Sequence, residues 1–379
     1  MASRKRATSS GRPTTAPAAA PAMPSLADLR VRIDAVDAQI QQLISERAGY
    51  ALQVGKAKGP LKAAIDYYRP EREVQVLRQV IARNSGPLSN DVLLRVFREI
   101  MSACLAQQEP LRIGFLGPEG TFSHTAVRKQ FGHSVRALPL ASIEEVFQEV
   151  AAGHADFGVV PIENSSEGAV HHTLDMFFST DLKICGEVEL RIQQNLLTQA
   201  TDLKQIERVY SHAQSLGQCR SWLREHLPKA ERIAVSSNAE AARRARTAPD
   251  AAAIAGESAA QVYGLPILAA GIEDKADNTT RFVVLGREIL PPTGTDKTSL
   301  LLSVRDQPGA LYQLLTPLAA AGISMTRIES RPGRAKWEYV FFIDVEGHVE
   351  DPPLKQALAS IGPAAAGLKV LGSYPVALV

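Results

Sequence analysis

The sequence lacks what a membrane protein, a nucleic-acid binder or a disulfide scaffold needs. No apolar run approaches the roughly 18–20 residues of a membrane span. Charge is nearly balanced, at +2 over 379 residues, so nothing points to nucleic acid or a lipid surface. The three cysteines, Cys104, Cys185 and Cys219, have no paired spacing, which fits a reducing, cytoplasmic setting. No Cys/His metal pattern is present. His171 and His172 are neighbours, and neighbouring side chains diverge on a helix or a strand. Residues 1–24 contain no acid and are rich in Arg, Ser, Thr, Pro and Ala. They cannot bury a core and are expected to be a disordered tail, with an organelle transit peptide as the alternative. A chain of this length is expected to hold two or three domains.

Residues 25–109 read as helices. Ser25 is an expected N-cap with Asp28 in the first turn. Apolar residues recur at Leu26, Leu29, Ile33, Val36, Ile40 and Leu43, a heptad seam. The same count lands on Arg47, and Lys58 projects from the same face nearly three turns later. Cations in a greasy seam demand an anion, supplied either by a ligand or by a neighbouring helix. The helix could run from 26 to 58, roughly 50 Å, and cannot cover its own apolar face, so a homodimer is expected. Gly59-Pro60 ends it; further helices are expected from about Pro70 and from Ser89 or Asn90.

With Leu29-Arg30, Glu46-Arg47, Gly55-Lys56-Ala57-Lys58, Arg69-Pro70-Glu71-Arg72-Glu73 and Gln108, this region resembles the all-helical (AroQ-type) chorismate mutase. The resemblance implies an intertwined all-α, three-helix dimer. It implies that Arg30 of the partner subunit, Arg47 and Lys58 hold the carboxylates and ether oxygen of chorismate. Glu73 and Gln108 would meet the hydroxyl and ether oxygen, with Arg72 pairing nearby. A Claisen rearrangement needs no nucleophile; it needs one conformer held and the charge on the breaking ether oxygen stabilised.

Residues 111–287 read as α/β. Leu111–Leu116 is an expected strand, and Gly117–Ser123 turns it into a helix whose free N–H groups suit an anion. Gly114, Gly117 and Gly120 are spaced three and three, so this is no dinucleotide loop. Ser142–Ala152 is an expected helix. Asp156–Val160 is an expected strand running into a polar exit, Pro161–Gly168, where α/β proteins bind ligands. Val209-Tyr210 leads into Ser211–Cys219, another strand-to-helix turn. Finally, Asp277-Asn278-Thr279-Thr280-Arg281 is a polar loop entering the strand Phe282–Gly286.

Together, Gly117–Ser123, Pro161–Gly168, Ser211–Cys219 and Thr279–Phe282 resemble prephenate dehydratase. The resemblance implies two α/β lobes like those of periplasmic binding proteins, with the site between them. It makes Thr280 the catalytic residue and Arg281 a carboxylate or structural partner. Thr279, Glu163, Asn164, Ser165, Ser211, Gln214 and Gln218 would line the substrate pocket.

Residues 298–375 alternate as βαββαβ, an α+β, ferredoxin-like order, after a linker at Pro291–Gly294. With Gly309-Ala310-Leu311 and Glu329-Ser330-Arg331-Pro332, this segment resembles an ACT domain, which implies phenylalanine as an effector held between paired domains. The module order resembles the bacterial bifunctional mutase–dehydratase family, which favours a tail over a transit peptide. It implies chorismate and prephenate as substrates and no cofactor or metal. A non-catalytic sensor of the same modules is the alternative; a fused dehydrogenase would need a nicotinamide fingerprint, and the chain has none.

Overall fold

A computed structural model describes residues 24–58, 68–305, 307–333, 338–363 and 365–378. Expectations for the tail (1–23) and the Gly59-Pro60 break lie outside the described residues, as does the side chain of Lys58. The chain divides into two compact units, Met1–Tyr50 and Ala51–Val379.

Three helices come first: α1 (Leu26–Lys58), α2 (Pro70–Arg83) and α3 (Asn90–Ala106). Their starts follow from capping chemistry. Ser25 Oγ accepts from the Asp28 N–H at 3.1 Å, and the Asp28 carboxylate accepts from the Ser25 hydroxyl at 2.7 Å. Pro70 takes the first position of α2, where a missing N–H does no harm. Ser89 caps α3 by accepting from the Val92 N–H. The α1 seam from Leu26 to Leu43 is exposed, between 41% and 66% at its six apolar positions.

The α/β region follows as β1 (Arg112–Leu116), α4 (Phe122–Phe131), β2 (Arg136–Leu140), α5 (Ile143–Ala152), β3 (Phe157–Asn164), β4 (Gly168–Ala169), α6 (His171–Met176) and β5 (Lys183–Arg191). The chain then builds a second lobe from β6 (Asn195–Thr198), β7 (Arg208–His212), α7 (Ala213–Gln218), α8 (Arg220–His226), β8 (Glu231–Val235), α9 (Asn238–Ala245), β9 (Ala251–Ala255), α10 (Glu257–Tyr263) and β10 (Ile267–Ala269). It returns as β11 (Thr279–Gly286) to the first lobe. The first sheet runs β2-β1-β3-β11-β5 with β4 beside β3; the second runs β10-β6-β9-β7-β8.

Two boundaries differ from expectation. Thr279, Thr280 and Arg281 belong to β11 and are not a loop before it, and β3 continues through Pro161–Asn164. The cause is tertiary: β11 lies between β3 and β5, and the ladder captures every residue that has a partner on either side.

The last module is β12 (Asp296–Arg305), α11 (Ala310–Ala320), β13 (Met325–Pro332), β14 (Glu338–Glu346), α12 (Pro352–Ile361) and β15 (Gly367–Pro375). Its antiparallel sheet, ordered β13-β14-β12-β15, has two apolar faces. Leu300, Leu302, Ile343 and Val345 pack on Leu314, Leu354 and Ile361 of its own helices. Leu301, Val340, Phe342, Leu371 and Tyr374 join the core of the first lobe, with Ile184, Val283 and Leu285. Helices α2 and α3 also rest on that lobe. Tyr68 meets Phe157 edge-on at 5.4 Å, and Arg78 Nη1 donates to the Thr293 carbonyl at 2.8 Å, in the linker before β12.

Close approach of β15 to β5 requires Gly372. A Cβ there would collide with the Ile184 backbone and lie 2.7 Å from its nitrogen. Backbone on both sides leaves little to yield, so Gly372→Ala is expected to lose at least about 2 kcal/mol, the range of overpacked cores. Thermal unfolding followed by far-UV circular dichroism measures this; an unchanged midpoint would refute the tight strand contact.

Candidate active site

A cleft of about 670 Å³ opens between the two α/β lobes. Its lining includes Asn164, Thr280 and Phe282 from the first sheet, Gly117, Pro118 and Thr121–Ser123 from the turn before α4, Gln194 from the link between β5 and β6, and Gln214, Ser215, Gln218 and Asn238 from the second lobe. Strand geometry selects the first group. Thr280 on β11 is the register partner of Asn164 on β3, so both point to one face. Their neighbours Arg281 and Glu163 are also partners and point to the other face.

The Thr280–Asn164 contact fixes a proton. Asn164 Oδ1 accepts from the Ser166 and Glu167 N–H groups at 3.0 and 3.2 Å. That orients its amide nitrogen, which donates to Thr280 Oγ1 at 2.8 Å. Thr280 therefore accepts from Asn164 and keeps its own hydroxyl proton for another partner. On the facing wall, Ser215 Oγ accepts from Asn238 Nδ2 at 2.9 Å and from Gln194 Nε2 at 3.1 Å. It too is left as a donor.

No lysine, arginine, aspartate or glutamate is among the cleft-lining residues described. Positive potential comes instead from backbone. Thr121 caps α4 and Ser237 caps α9, and both turns line the cleft with their helix N-termini. The first turn is held from below by His124, whose Nδ1 accepts from the Gly120 N–H at 3.0 Å. Its ring stacks on Phe115 at 4.9 Å. Burial, then the Arg128 charge, lower the His124 pKa from its ordinary 6.5.

Several expected site residues lie elsewhere. Arg281 does not enter the cleft: Nε donates to Glu187 at 2.8 Å, Nη1 to Asp344 at 2.6 Å and Nη2 to the Tyr374 hydroxyl at 3.0 Å. Burial works against its charge, but Tyr374, Asp344 and Glu187 outweigh burial and hold it protonated. Glu163 meets Arg327 Nε at 2.7 Å on the same far face. Strand alternation is the reason in both cases. Ser211 is buried behind the wall, donating to the Ile254 carbonyl at 2.8 Å and to Asn238 at 3.0 Å. Ser165 accepts from the Thr279 N–H at 2.9 Å, a β3–β11 closure apart from the lining. Asn164, Gln214, Gln218 and Thr280 do line the cleft.

Gln194, Ser215 and Asn238 were not singled out from sequence. Ser236-Ser237-Asn238 carried a usable signal, since it is a third hydroxyl-bearing turn between a strand and a helix.

In the helical region, Arg30 is exposed and Arg47 half-buried on α1, and Arg72 is exposed with Nη1 near Gln75 at 3.3 Å. Gln108 Nε2 donates to the Ala51 carbonyl at 2.9 Å, over Gly55, where a Cβ would meet the Gln108 amide at 2.7 Å. Glu73 faces Arg98 at 3.6 Å beside the first lobe, and burial raises its pKa. Among the described residues, no hydrogen bond or ion pair joins Glu73 to Gln108. In the last module, Gly309 has φ +79° ahead of Ala310 and Leu311. Glu329, Ser330, Arg331 and Pro332 end edge strand β13. Arg331 Nη1 reaches Asp175 and the His171 carbonyl, both at 2.9 Å.

The chain matches three families in order: chorismate mutase type II over residues 29–109, prephenate dehydratase over 113–289 and the ACT domain over 298–363. It is 56% identical to a bifunctional chorismate mutase/prephenate dehydratase from Stutzerimonas stutzeri, over 93% of this chain and 98% of that one. Among solved structures, prephenate dehydratase from Arthrobacter aurescens in complex with L-Phe is 36% identical with a TM-score of 0.65, covering 70% of this chain and 90% of its own. A structure described as GqqA, a novel type of quorum quenching acylase, is 32% identical with a TM-score of 0.65, covering 70% of this chain and 98% of its own.

The His124 geometry carries a pH dependence. The unfolded chain takes up a proton near pH 6.5 that folded His124 resists. Its contribution is therefore complete above that pH and is lost as pH falls below it. The unfolding midpoint is expected to drop from pH 7 to pH 5.5, with a shallower slope in His124→Gln. Parallel slopes would show that His124 is freely protonated.

Proposed function

The chain belongs to the bifunctional chorismate mutase/prephenate dehydratase family, and from that premise we propose how its residues act. The protein rearranges chorismate to prephenate and converts prephenate to phenylpyruvate, and its ACT domain makes the second reaction responsive to phenylalanine. The Thr280–Asn164 hydrogen bond carries the dehydratase reading.

Prephenate brings two carboxylates and a ring hydroxyl. In the cleft, helix N-termini and side-chain amides seat the carboxylates without a fixed cation. Decarboxylation breaks one C–C bond, its electron pair forms the new ring double bond, and the ring C–O bond breaks. Hydroxide is a poor leaving group. Thr280, kept as a donor by Asn164, hydrogen-bonds to the departing oxygen. A threonine hydroxyl is too weak an acid to give up its proton outright, so it orients and relays. Gln214, Gln218 and Ser215 hold the opposite end of the substrate.

For the mutase reaction, Arg47, Lys58 and Gln108 hold chorismate, with Arg30 of the partner subunit closing the site. Arg72 and Glu73 serve beside them once two copies have assembled. The exposed α1 seam supports assembly, because six large apolar residues in a row on one helix are a surface a second copy would cover. Phenylalanine is held by Gly309–Leu311 of one ACT copy and Glu329–Pro332 of the other. The cytosol suits the chain, since all three cysteines are unpaired. Among the described residues no helix is long and apolar enough to cross a membrane.

Chorismate added to purified protein is expected to yield phenylpyruvate. Thr280→Ala should lower dehydratase kcat by about 10²-fold or more while leaving the mutase rate, and Lys58→Ala should do the reverse. Loss of both activities from either folded variant would overturn separate sites. Ile40→Asp, which puts a charge in the seam, is expected to sediment as a monomer with little mutase activity. A dimer of normal activity would remove the seam from the interface.

A further inference from the structure

The two residues that form the cleft's catalytic contact each have a neighbour anchored in the regulatory sheet. Thr280 is followed by Arg281, which binds Asp344 on β14 and Tyr374 on β15. Asn164 is preceded by Glu163, which binds Arg327 on β13. Arg281 Nη1 and Glu163 also lie 4.0 Å apart, closing a single cluster across β3 and β11. Arg281, Asp344 and Arg327 have side chains 11%, 6% and 10% exposed, whereas Glu163 is 38% exposed, so the cluster is desolvated at every member but Glu163. Buried ion pairs are weak sources of net stability, and their best-attested use is to specify one arrangement over another.

We infer that Glu163 and Arg281 are positioning residues through which the ACT sheet sets the Thr280–Asn164 contact and hence dehydratase turnover. The inference rests on the proposed function and adds the route by which effector binding reaches the reaction. β13 carries both Arg327 and the Glu329–Pro332 segment assigned to phenylalanine. A shift of that strand moves Arg327 against Glu163. Because Glu163 and Asn164 share one backbone, the Asn164 amide turns with it. Asp344 acts likewise on Arg281 and Thr280. Arg327 also retains a buried Nη2 with no acceptor, so its pairing with Glu163 leaves bonding capacity for a second arrangement. Effector control needs such a two-state contact, with phenylalanine binding one arrangement better.

The test uses the full chain with Asp344→Asn, which keeps shape and removes one charge, and Tyr374→Phe, which removes one hydroxyl from a fully buried ring. Mutase activity serves as the control for folding, and phenylalanine binding is read by calorimetry. Dehydratase kcat is expected to fall roughly threefold to tenfold with KM little changed, and the inhibition reached at saturating phenylalanine to weaken by a similar factor. Phenylalanine affinity is expected to stay within about twofold, the margin left after coupling effects of that size. Should Asp344→Asn fail to fold, Tyr374→Phe carries the same test with a smaller effect. Unchanged kcat and unchanged inhibition in a folded variant would overturn the inference, as would a loss of inhibition matched by an equal loss of binding. A wild-type protein that makes no phenylpyruvate would instead overturn the proposed function.

Discussion

Everything in the α/β region turns on one register. Thr280 opposes Asn164 and Arg281 opposes Glu163 on paired antiparallel strands. Because successive side chains leave a strand on opposite faces, a single pair of β-strands presents neutral hydrogen-bonding groups to the cleft and a charged pair to the regulatory sheet. A slip of one residue would exchange the faces. The cleft would then receive Arg281 and Glu163, and the first-lobe core would receive the amide and the hydroxyl. The register is protected by apolar packing further along the same strand, where Val283 and Leu285 are fully buried.

Among its described lining residues the cleft has no lysine, arginine, aspartate or glutamate, and His212 is its one imidazole. Fixed cations would grip the starting dianion and the product alike. Uniform binding of this kind lowers KM without speeding the chemistry. Helix N-termini and oriented amides offer a weaker field that is already aligned before substrate arrives, so little reorganisation accompanies the reaction. The same walls hold their orientation through mutual hydrogen bonds. Ser215 is fixed by Gln194 and Asn238, and Asn238 accepts in turn from Ser211 and from the His212 N–H at 3.1 Å. Ser211 thus acts one layer behind the surface it was expected to form.

The regulatory sheet is more than an appendage. Its inner face completes the core of the first lobe, and the absence of a side chain at Gly372 lets β15 lie directly on β5. Glu187 on β5 then collects Arg281, Lys297 and the Ala377 N–H around one buried carboxylate. Arg78 on α2 reaches the linker that enters this sheet. Helical, α/β and ACT parts therefore share contacts within the second unit.

Local patterns in the sequence determined most of the elements. Ser25, Ser89 and Ser142 start helices where expected because a capping hydroxyl acts on N–H groups two or three residues away. The βαββαβ order was likewise readable from alternation and turn residues. That Thr280, Asn164, Gln214 and Gln218 line one cleft was legible through resemblance. What the sequence alone left undecided was direction. Glu163 and Arg281 stand within one residue of Asn164 and Thr280, and nothing local says which face each takes. That depends on a sheet with β11 held between β3 and β5, and on a second sheet behind it that supplies Asp344, Arg327 and Tyr374 from far along the chain. Tertiary structure decided it, because a charge is buried only where distant partners meet it.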